Sequence, residues 1–291
     1  MKAVKFLAVA SCLSIGVFGF WFVGGASGDR TDGDFPVLTA IMSGNKMIDR
    51  MASRLDLSDA QKQQVQSIVG DEAAADAPTV DQMKQDVTSL RKMADSDTVD
   101  QTQLTDVAQS ASNTAVDLVV DLARTKSKIY AVLTPEQRAK QKALQAEGMA
   151  TLKERLANMQ SKRGQMLSFV ASRLDLSDDQ ISQAKSILAD ARQNARPEIA
   201  EVAEDLKGVQ ALTRNGNFDE SAVRAEAEKT RQPLEDLIVG SIQTRSQLFA
   251  LLTPDQQEKV EKMQHSFRAK LAQRIMERFS NQDNSDTQSV I

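Results

Sequence analysis

Apolar residues along this chain recur three or four positions apart, with charged and amide side chains filling the intervals. That spacing lays an apolar stripe on one face of an α-helix, because positions i, i+3, i+4 and i+7 share a side. Val37, Ile41, Ile48, Met51 and Leu55 keep it, with Gly44 in the gap and Met47 flanking, and predict a helix from near Pro36 to Arg54. A second helix opens at Ser58, is interrupted by Pro78 and resumes to about Ala94, ahead of a turn at Asp95-Ser96-Asp97. Leu104, Val107, Ala111, Ala115, Leu118, Leu122, Ile129 and Val132 form a narrow stripe over roughly seven turns. Met149, Leu152, Leu156, Met159, Met166 and Val170 stay in register across Gly164. They predict one unbroken helix of about 38 residues from Pro135, roughly 57 Å long. Val260, Met263, Phe267, Leu271 and Ile275 mark a final helix to about Phe279. The fold class is all-α.

The helix starts repeat. Leu133-Thr134-Pro135-Glu136-Gln137 returns as Leu252-Thr253-Pro254-Asp255-Gln256, with weaker echoes at Leu57-Ser58-Asp59-Ala60-Gln61 and Leu176-Ser177-Asp178-Asp179-Gln180. Each reads as a capping box. The Ser or Thr accepts from an amide in the first turn, and Gln three residues on reaches back to the cap's own N–H. Ala52 to Asp59 recurs verbatim as Ala171 to Asp178, an offset of 119 residues that also relates Thr134 to Thr253, Pro78 to Pro197 and Tyr130 to Phe249. This points to a duplicated unit of about 100 residues. Asn215-Gly216-Asn217 lies within one residue of the counterpart of the 95–97 turn. Pro233 falls opposite Thr114 and should kink or break the last long helix of the second unit.

Composition narrows the chemistry. Aromatics are 4% of the 291 residues, which argues against a large β-sheet. The 36 basic and 40 acidic residues are interspersed, and without a basic patch nucleic acid is set aside as a partner. Cys12 and His265 are the only residues of their kinds, so no intramolecular disulfide, Cys/His zinc site or Ser-His-Asp triad can be assembled. No acidic cluster has a spacing that asks for a metal or a carboxylate-pair hydrolase. No catalytic residue, metal or cofactor is expected, and the chain does not read as an enzyme.

Lys2 and Lys5 precede an apolar run of 18 residues from Phe6 to Val23, then Gly24-Gly25-Ala26-Ser27. This is an export signal with a cleavage point after Ala26, or an uncleaved anchor, since the run just suffices to cross a bilayer. Either way the remainder is exported. The expected organisation is a signal peptide or anchor (1–26), a polar tether (27–35), a first unit (36–146), a connecting helix (147–163), a second unit (164–279) and a disordered tail (280–291).

The stretches 57–64 and 127–137, with Leu-Ser-Asp-Ala-Gln and Leu-Thr-Pro-Glu-Gln at their cores, resemble the Spy/CpxP family of bacterial periplasmic proteins, defined by paired LTxxQ motifs. The second pair rests on 176–180 and 248–256. The resemblance implies a cradle-shaped helical fold, here a monomeric pseudo-dimer of tandem units or a homodimer, and a role in envelope stress. Unfolded or misfolded envelope proteins would be the clients of an ATP-independent chaperone; the alternative is a regulator that docks on the periplasmic domain of a sensor kinase. The family's cradles are rich in basic residues, whereas residues 43–146 carry 13 basic and 15 acidic side chains and residues 164–265 carry 12 and 17. Leu57, Ser58, Gln61, Leu133, Thr134, Gln137, Leu176, Ser177, Gln180, Leu252, Thr253 and Gln256 are structural capping positions. Met47, Ile48, Met51, Met166, Phe169 and Val170 are either core or a client surface, because flexible Met side chains adapt to varied apolar partners.

Overall fold

The computed structural model describes residues 45–94, 98–144, 146, 167–213 and 216–263. Among them every regular element is a helix. These are α1 (Asn45–Leu55), α2 (Asp59–Ala75), α3 (Ala77–Ala94), α4 (Gln101–Val132), α5 (Asp178–Leu212), α6 (Glu220–Glu228) and α7 (Arg231–Ala250). Helical backbone also occupies 135–144, 167–174 and 254–263. The expected connecting helix, the final helix beyond 263 and the apolar run Phe6–Val23 lie outside the described residues. Within the described residues no helix is long and apolar enough to cross a membrane.

Caps set where the helices begin. Ser58 opens α2 and Ser177 opens α5. Two aspartates absent from the expected boxes do the same work elsewhere. Asp100 accepts from the Thr102 and Gln103 amides at 2.9 and 3.1 Å, and Asp219 accepts from Ser221 and Ala222 at 2.9 and 3.2 Å. Each satisfies amides that a first turn leaves without partners. Those at Asp219 hold its carboxyl below the usual carboxylate range, with the Ser221 hydroxyl contributing most.

Prolines bend the helices, unequally. At Pro78 the chain kinks: Asp76 separates α2 from α3, yet Asp76 N–H still reaches Glu72 O at 2.8 Å and Val80 N–H reaches Asp76 O at 2.9 Å. Pro197, at the matching position, sits inside a continuous α5. Pro233 falls in the first turn of α7, directly after a joint at Lys229-Thr230 that divides α6 from α7, where α4 runs unbroken over 32 residues. Its ring would collide with the carbonyl four residues back, so the helix restarts. At the joint Ala227 O accepts both the N–H and the hydroxyl of Thr230, at 3.0 and 2.7 Å.

The core is made jointly by the two halves of the chain. Val119, Val120 and Ala123 of α4 pack with Val209 and Val223 of α5 and α6. Leu90 of α3 and Leu104 of α4 pack with Ile238, Val239 and Ile242 of α7. These two groups exchange members under the 119-residue offset: Leu90 stands for Val209, Leu104 for Val223, and Val119, Val120 and Ala123 for Ile238, Val239 and Ile242. α4 is therefore covered on several sides, by α2, α3, α6 and α7. Small residues make this possible, with Ala108, Ala111 and Ser112 all buried on one turn of the helix. Separate clusters close the two ends. Ile48, Val65 and Ile129 form one; Val170, Leu174, Leu252 and Val260 form the other.

Candidate functional site

The eight residues that recur verbatim are a helix stop fused to a helix start. α1 ends at Leu55, and Asp56 takes the left-handed conformation at φ 52°, where Gly is usual. Leu57 N–H then reaches back to Ala52 O at 2.9 Å, and the Leu57 side chain packs in the same cluster as Met51. That is a Schellman stop with its apolar contact. In the second segment Asp175 has φ 53°, and Leu176 N–H bonds Ala171 O at 3.0 Å. One residue later Ser58 or Ser177 starts the next helix.

At all four boxes the reciprocal pair of bonds is present. Ser58 N–H donates to Gln61 Oε1 at 3.0 Å and Gln61 N–H to Ser58 Oγ at 3.3 Å. The Thr134–Gln137 pair gives 2.9 and 3.3 Å, Ser177–Gln180 gives 3.0 and 3.2 Å, and Thr253–Gln256 gives 3.0 and 3.4 Å.

The glutamines do more than cap. Gln61 Nε2 donates to Gln137 Oε1 at 2.7 Å, and Gln137 Nε2 donates back to Gln61 Oε1 at 3.0 Å. The second hydrogen on each nitrogen goes to a backbone carbonyl across the joint, Val132 O at 2.9 Å and Asp56 O at 3.1 Å. Each oxygen also holds its own cap amide. Both carboxamides thus use two donors and two acceptors, their full capacity. The result is a clasp that ties the end of α1 and the start of α2 to the end of α4 and the start of the next helix. Gln180 and Gln256 repeat it, with 2.8 and 3.2 Å between the amides and 2.8 and 3.3 Å to Leu251 O and Asp175 O.

Charge seals each clasp. Lys140 pairs with the Asp56 carboxylate, and Lys259 pairs with Asp175 at 2.6 Å. The left-handed aspartates are thus held from both sides, the carboxylate by Lys and the carbonyl by Gln. Behind the clasp Arg138 donates to Tyr130 O at 3.2 Å and lies over the Tyr130 ring, 4.6 Å from its centre. Gln257 fills the matching place and donates to Phe249 O at 3.2 Å. A single box does not foretell the Gln-to-Gln reach between residues 76 positions apart, nor the bonds to Val132 O and Asp56 O that accompany it.

The candidate contact residues scatter. Ile48 and Val170 are buried, Met51 is half-buried against Ile48 and Val65, and Phe169 is exposed. Met47 lies on α1, while Met166 lies outside the described residues. Leu57, Leu133, Leu176 and Leu252 pack inward beside the clasps, with Leu133 and Leu252 buried. Two exposed apolar residues escaped the apolar-stripe reading, Ile199 and Leu212 on α5. They stand at the counterparts of the buried Val80 and Met93, so no periodicity distinguishes them. Among the described residues no group of three or more His, Cys, Asp or Glu could hold a metal ion.

Neither the curated proteins nor the solved structures contain a match to this chain. Residues 43–145 match the model of the LTXXQ motif family protein, a helical family associated with periplasmic proteins of the Spy/CpxP type and not known for enzymes. The Gln61–Gln137 clasp falls wholly within that match, one glutamine from each motif.

Proposed function

We propose that this protein is an ATP-independent chaperone of the periplasm, built as a fused pair of LTXXQ units. The observation that carries the activity is that Phe169, Ile199 and Leu212 stand 52%, 40% and 41% exposed on a frame braced by clasps. Apolar side chains in water on a helical frame can seat other proteins where they gather into a patch, and all three stand on the stretch 167–213. Held on rigid helices, they offer contact area without ordering a loop first. Release needs no nucleotide, since many weak apolar contacts exchange quickly once a client buries its own apolar surface.

Reciprocity supports the fused-pair arrangement. In a two-fold dimer, if residue i of one subunit meets j of the other, then j of the first meets i of the second. Lys126 donates to Thr213 Oγ1 at 3.5 Å, and Arg245 donates to Ala94 O. Lys126 and Arg245 are 119 positions apart, as are Ala94 and Thr213. The two core groups exchange in the same way. A single chain then serves where relatives would use two.

The test is suppression of light scattering by an aggregating client, without ATP, at near-stoichiometric ratio. A Phe169→Ser, Ile199→Ser, Leu212→Ser triple variant should lose most of that suppression while keeping its helical signal. Absence of suppression by the parent protein across several clients and salt conditions overturns the reading.

A further inference from the structure

Helix α4 turns one row of side chains toward residues 216–224 of the second segment. Tyr130, Ser127, Arg124 and Asp117 stand at helical spacing along one face. Followed back along α4, the row meets the other chain stretch in rising order. A Cβ on Gly216 would lie 2.5 Å from the Tyr130 ring, and the Ser127 hydroxyl donates to Gly216 O. Arg124 lies over the Phe218 ring, 5.7 Å from its centre, and pairs with Glu220 at 3.2 Å. Asp117 pairs with Arg224 at 2.7 Å.

The 119-residue offset carries this contact to a second one with different chemistry. Asp236, Gln243 and Phe249 stand for Asp117, Arg124 and Tyr130, while Asp97, Val99, Gln101 and Thr105 stand for Gly216, Phe218, Glu220 and Arg224. There Gln243 Nε2 donates to Gln101 Oε1 at 2.9 Å, and Asp236 accepts from Gln232 of its own helix at 3.0 Å. The two sides have changed together: Arg faces Phe and Glu, whereas Gln faces Gln. Pairing like with like would undo that match on one side only. Two first segments would set Arg124 against Val99 and Gln101, and Asp117 against Thr105. Tyr130 would face Asp97 in the place of Gly216, where a Cβ collides with the ring. Two second segments would set Gln243 against Glu220, Asp236 against Arg224 and Phe249 against Gly216, all of them compatible.

We propose that this face of α4 is a recognition surface that fits the 216–224 stretch of a second segment and rejects the matching stretch of a first. The inference rests on the fused-pair reading and adds which half each half accepts. Specificity is a difference between two affinities, set by what the right partner gains and what the wrong one loses. The charge pairs contribute the smaller share, because their side chains are 25–53% exposed and water screens them. The larger share is steric, a Cβ driven into an aromatic ring. The exclusion is therefore one-sided: first segments are barred from their own kind, and second segments are not.

Each like-with-like contact can be written into the full chain. Gly216→Asp, Glu220→Gln and Arg224→Thr together present α4 with a first segment's residues, with Phe218 kept so that its packing is unchanged. Arg124→Gln with Tyr130→Phe presents 216–224 with a second segment's residues. In chemical denaturation the first set should raise the unfolding equilibrium constant about a hundredfold, chiefly through Gly216→Asp, and the second set no more than about fivefold. Gly216→Asp combined with Tyr130→Ala should be about tenfold more stable than the product of the single effects, since the added Cβ then has room. Equal losses from the two sets, or independent effects of Gly216→Asp and Tyr130→Ala, overturn the proposal. Should the first set abolish the helical signal, the Gly216→Asp and Tyr130→Ala cycle decides. Light scattering coupled to gel filtration separates this from the reading beneath it. A monomeric parent with equal losses overturns the recognition surface alone, whereas an obligate dimer overturns the fused pair and the proposal with it.

Discussion

The segments 45–144 and 167–263 place the same helix stops, starts and clasps at the same spacing, yet their long helices bend in different places. The first divides at Asp76, ahead of Pro78, and keeps α4 continuous; the second keeps α5 continuous past Pro197 and divides before Pro233. The stops and starts are local chemistry, settled within a few residues by caps and a left-handed Asp. The bends are settled by what the helix lies against. Around the first junction stand Glu72, Asp76, Asp121 and Arg124, whereas the second segment has Ala191, Ala195, Gly240 and Gln243 at those positions. A proline thus permits a bend, and packing decides whether it is taken.

The equivalence of the clasps is the part of this comparison most open to attack. Gln137→Glu removes both side-chain donors, taking from Asp56 O its Gln partner, leaving Gln61 Oε1 with the Ser58 amide alone and setting a carboxylate against an acceptor. At about 1 kcal/mol per hydrogen bond plus the cost of the opposed acceptors, stability should fall by about 3 kcal/mol. Gln256→Glu should cost at least as much, because Gln256 is the more buried of the two. Chemical denaturation of each variant reads both values. A near-neutral result at either position would show that one clasp is ornamental and that the two segments are not held alike.

Gly216 probes the contact between segments. It has φ +79°, and a Cβ there would meet the Tyr130 ring at 2.5 Å, while the Ser127 hydroxyl donates to its carbonyl. Gly216→Ala combines a left-handed strain of about 1 kcal/mol with a displaced aromatic ring, for a total loss of roughly 2 kcal/mol. Tyr130→Ala in the same background should remove the clash, so the two losses should sum to less than additive. Strict additivity in thermal unfolding would mean that the turn does not seat against Tyr130.

Much of this was legible in the residues. The four boxes follow from chemistry confined to one turn of helix, and Pro78 and Pro233 mark where helices divide, but nothing local says that Pro197 leaves α5 whole. The all-helical class follows from the spacing of apolar positions. What the stripe of α4 did not disclose was how much more of that helix is covered. Val116, Val119 and Val120 are buried outside the stripe, together with Ala108 and Ser112, because α2, α3, α6 and α7 surround the helix. Ala108 and Ser112 carry little hydropathy, and the three valines widen the apolar face beyond a narrow stripe, so the extent of burial reflects the neighbours more than the pattern. The clasp escaped for a similar reason. A lone Gln three residues after a Ser is fully explained by its own cap, and only the arrival of the second Gln from 76 residues away gives its remaining hydrogens a partner. The exposure of Ile199 and Leu212 likewise depends on what packs against α5, which no residue within it announces.

The smallest expected effect bears most directly on why the segments differ. Pro197→Ala restores an amide within a continuous helix, where proline withholds one hydrogen bond and crowds the preceding turn. The gain is partly offset because proline restricts the unfolded chain, leaving a net stabilisation of about 1 kcal/mol. Pro78→Ala should yield less than half of that, about 0.4 kcal/mol, since Pro78 stands in the first turn of α3, where a missing N–H costs little. Pro78→Ala combined with Asp76→Ala removes both the ring and the Asp76 carboxylate, and should let α2 and α3 join into one helix like α5, visible as added helical signal and protection across 74–78. An equal gain from Pro78→Ala and Pro197→Ala, or straightening by Pro78→Ala alone, would assign the kink to the proline ring itself. The difference between the segments would then lie in how each proline is accommodated and not in what each helix packs against.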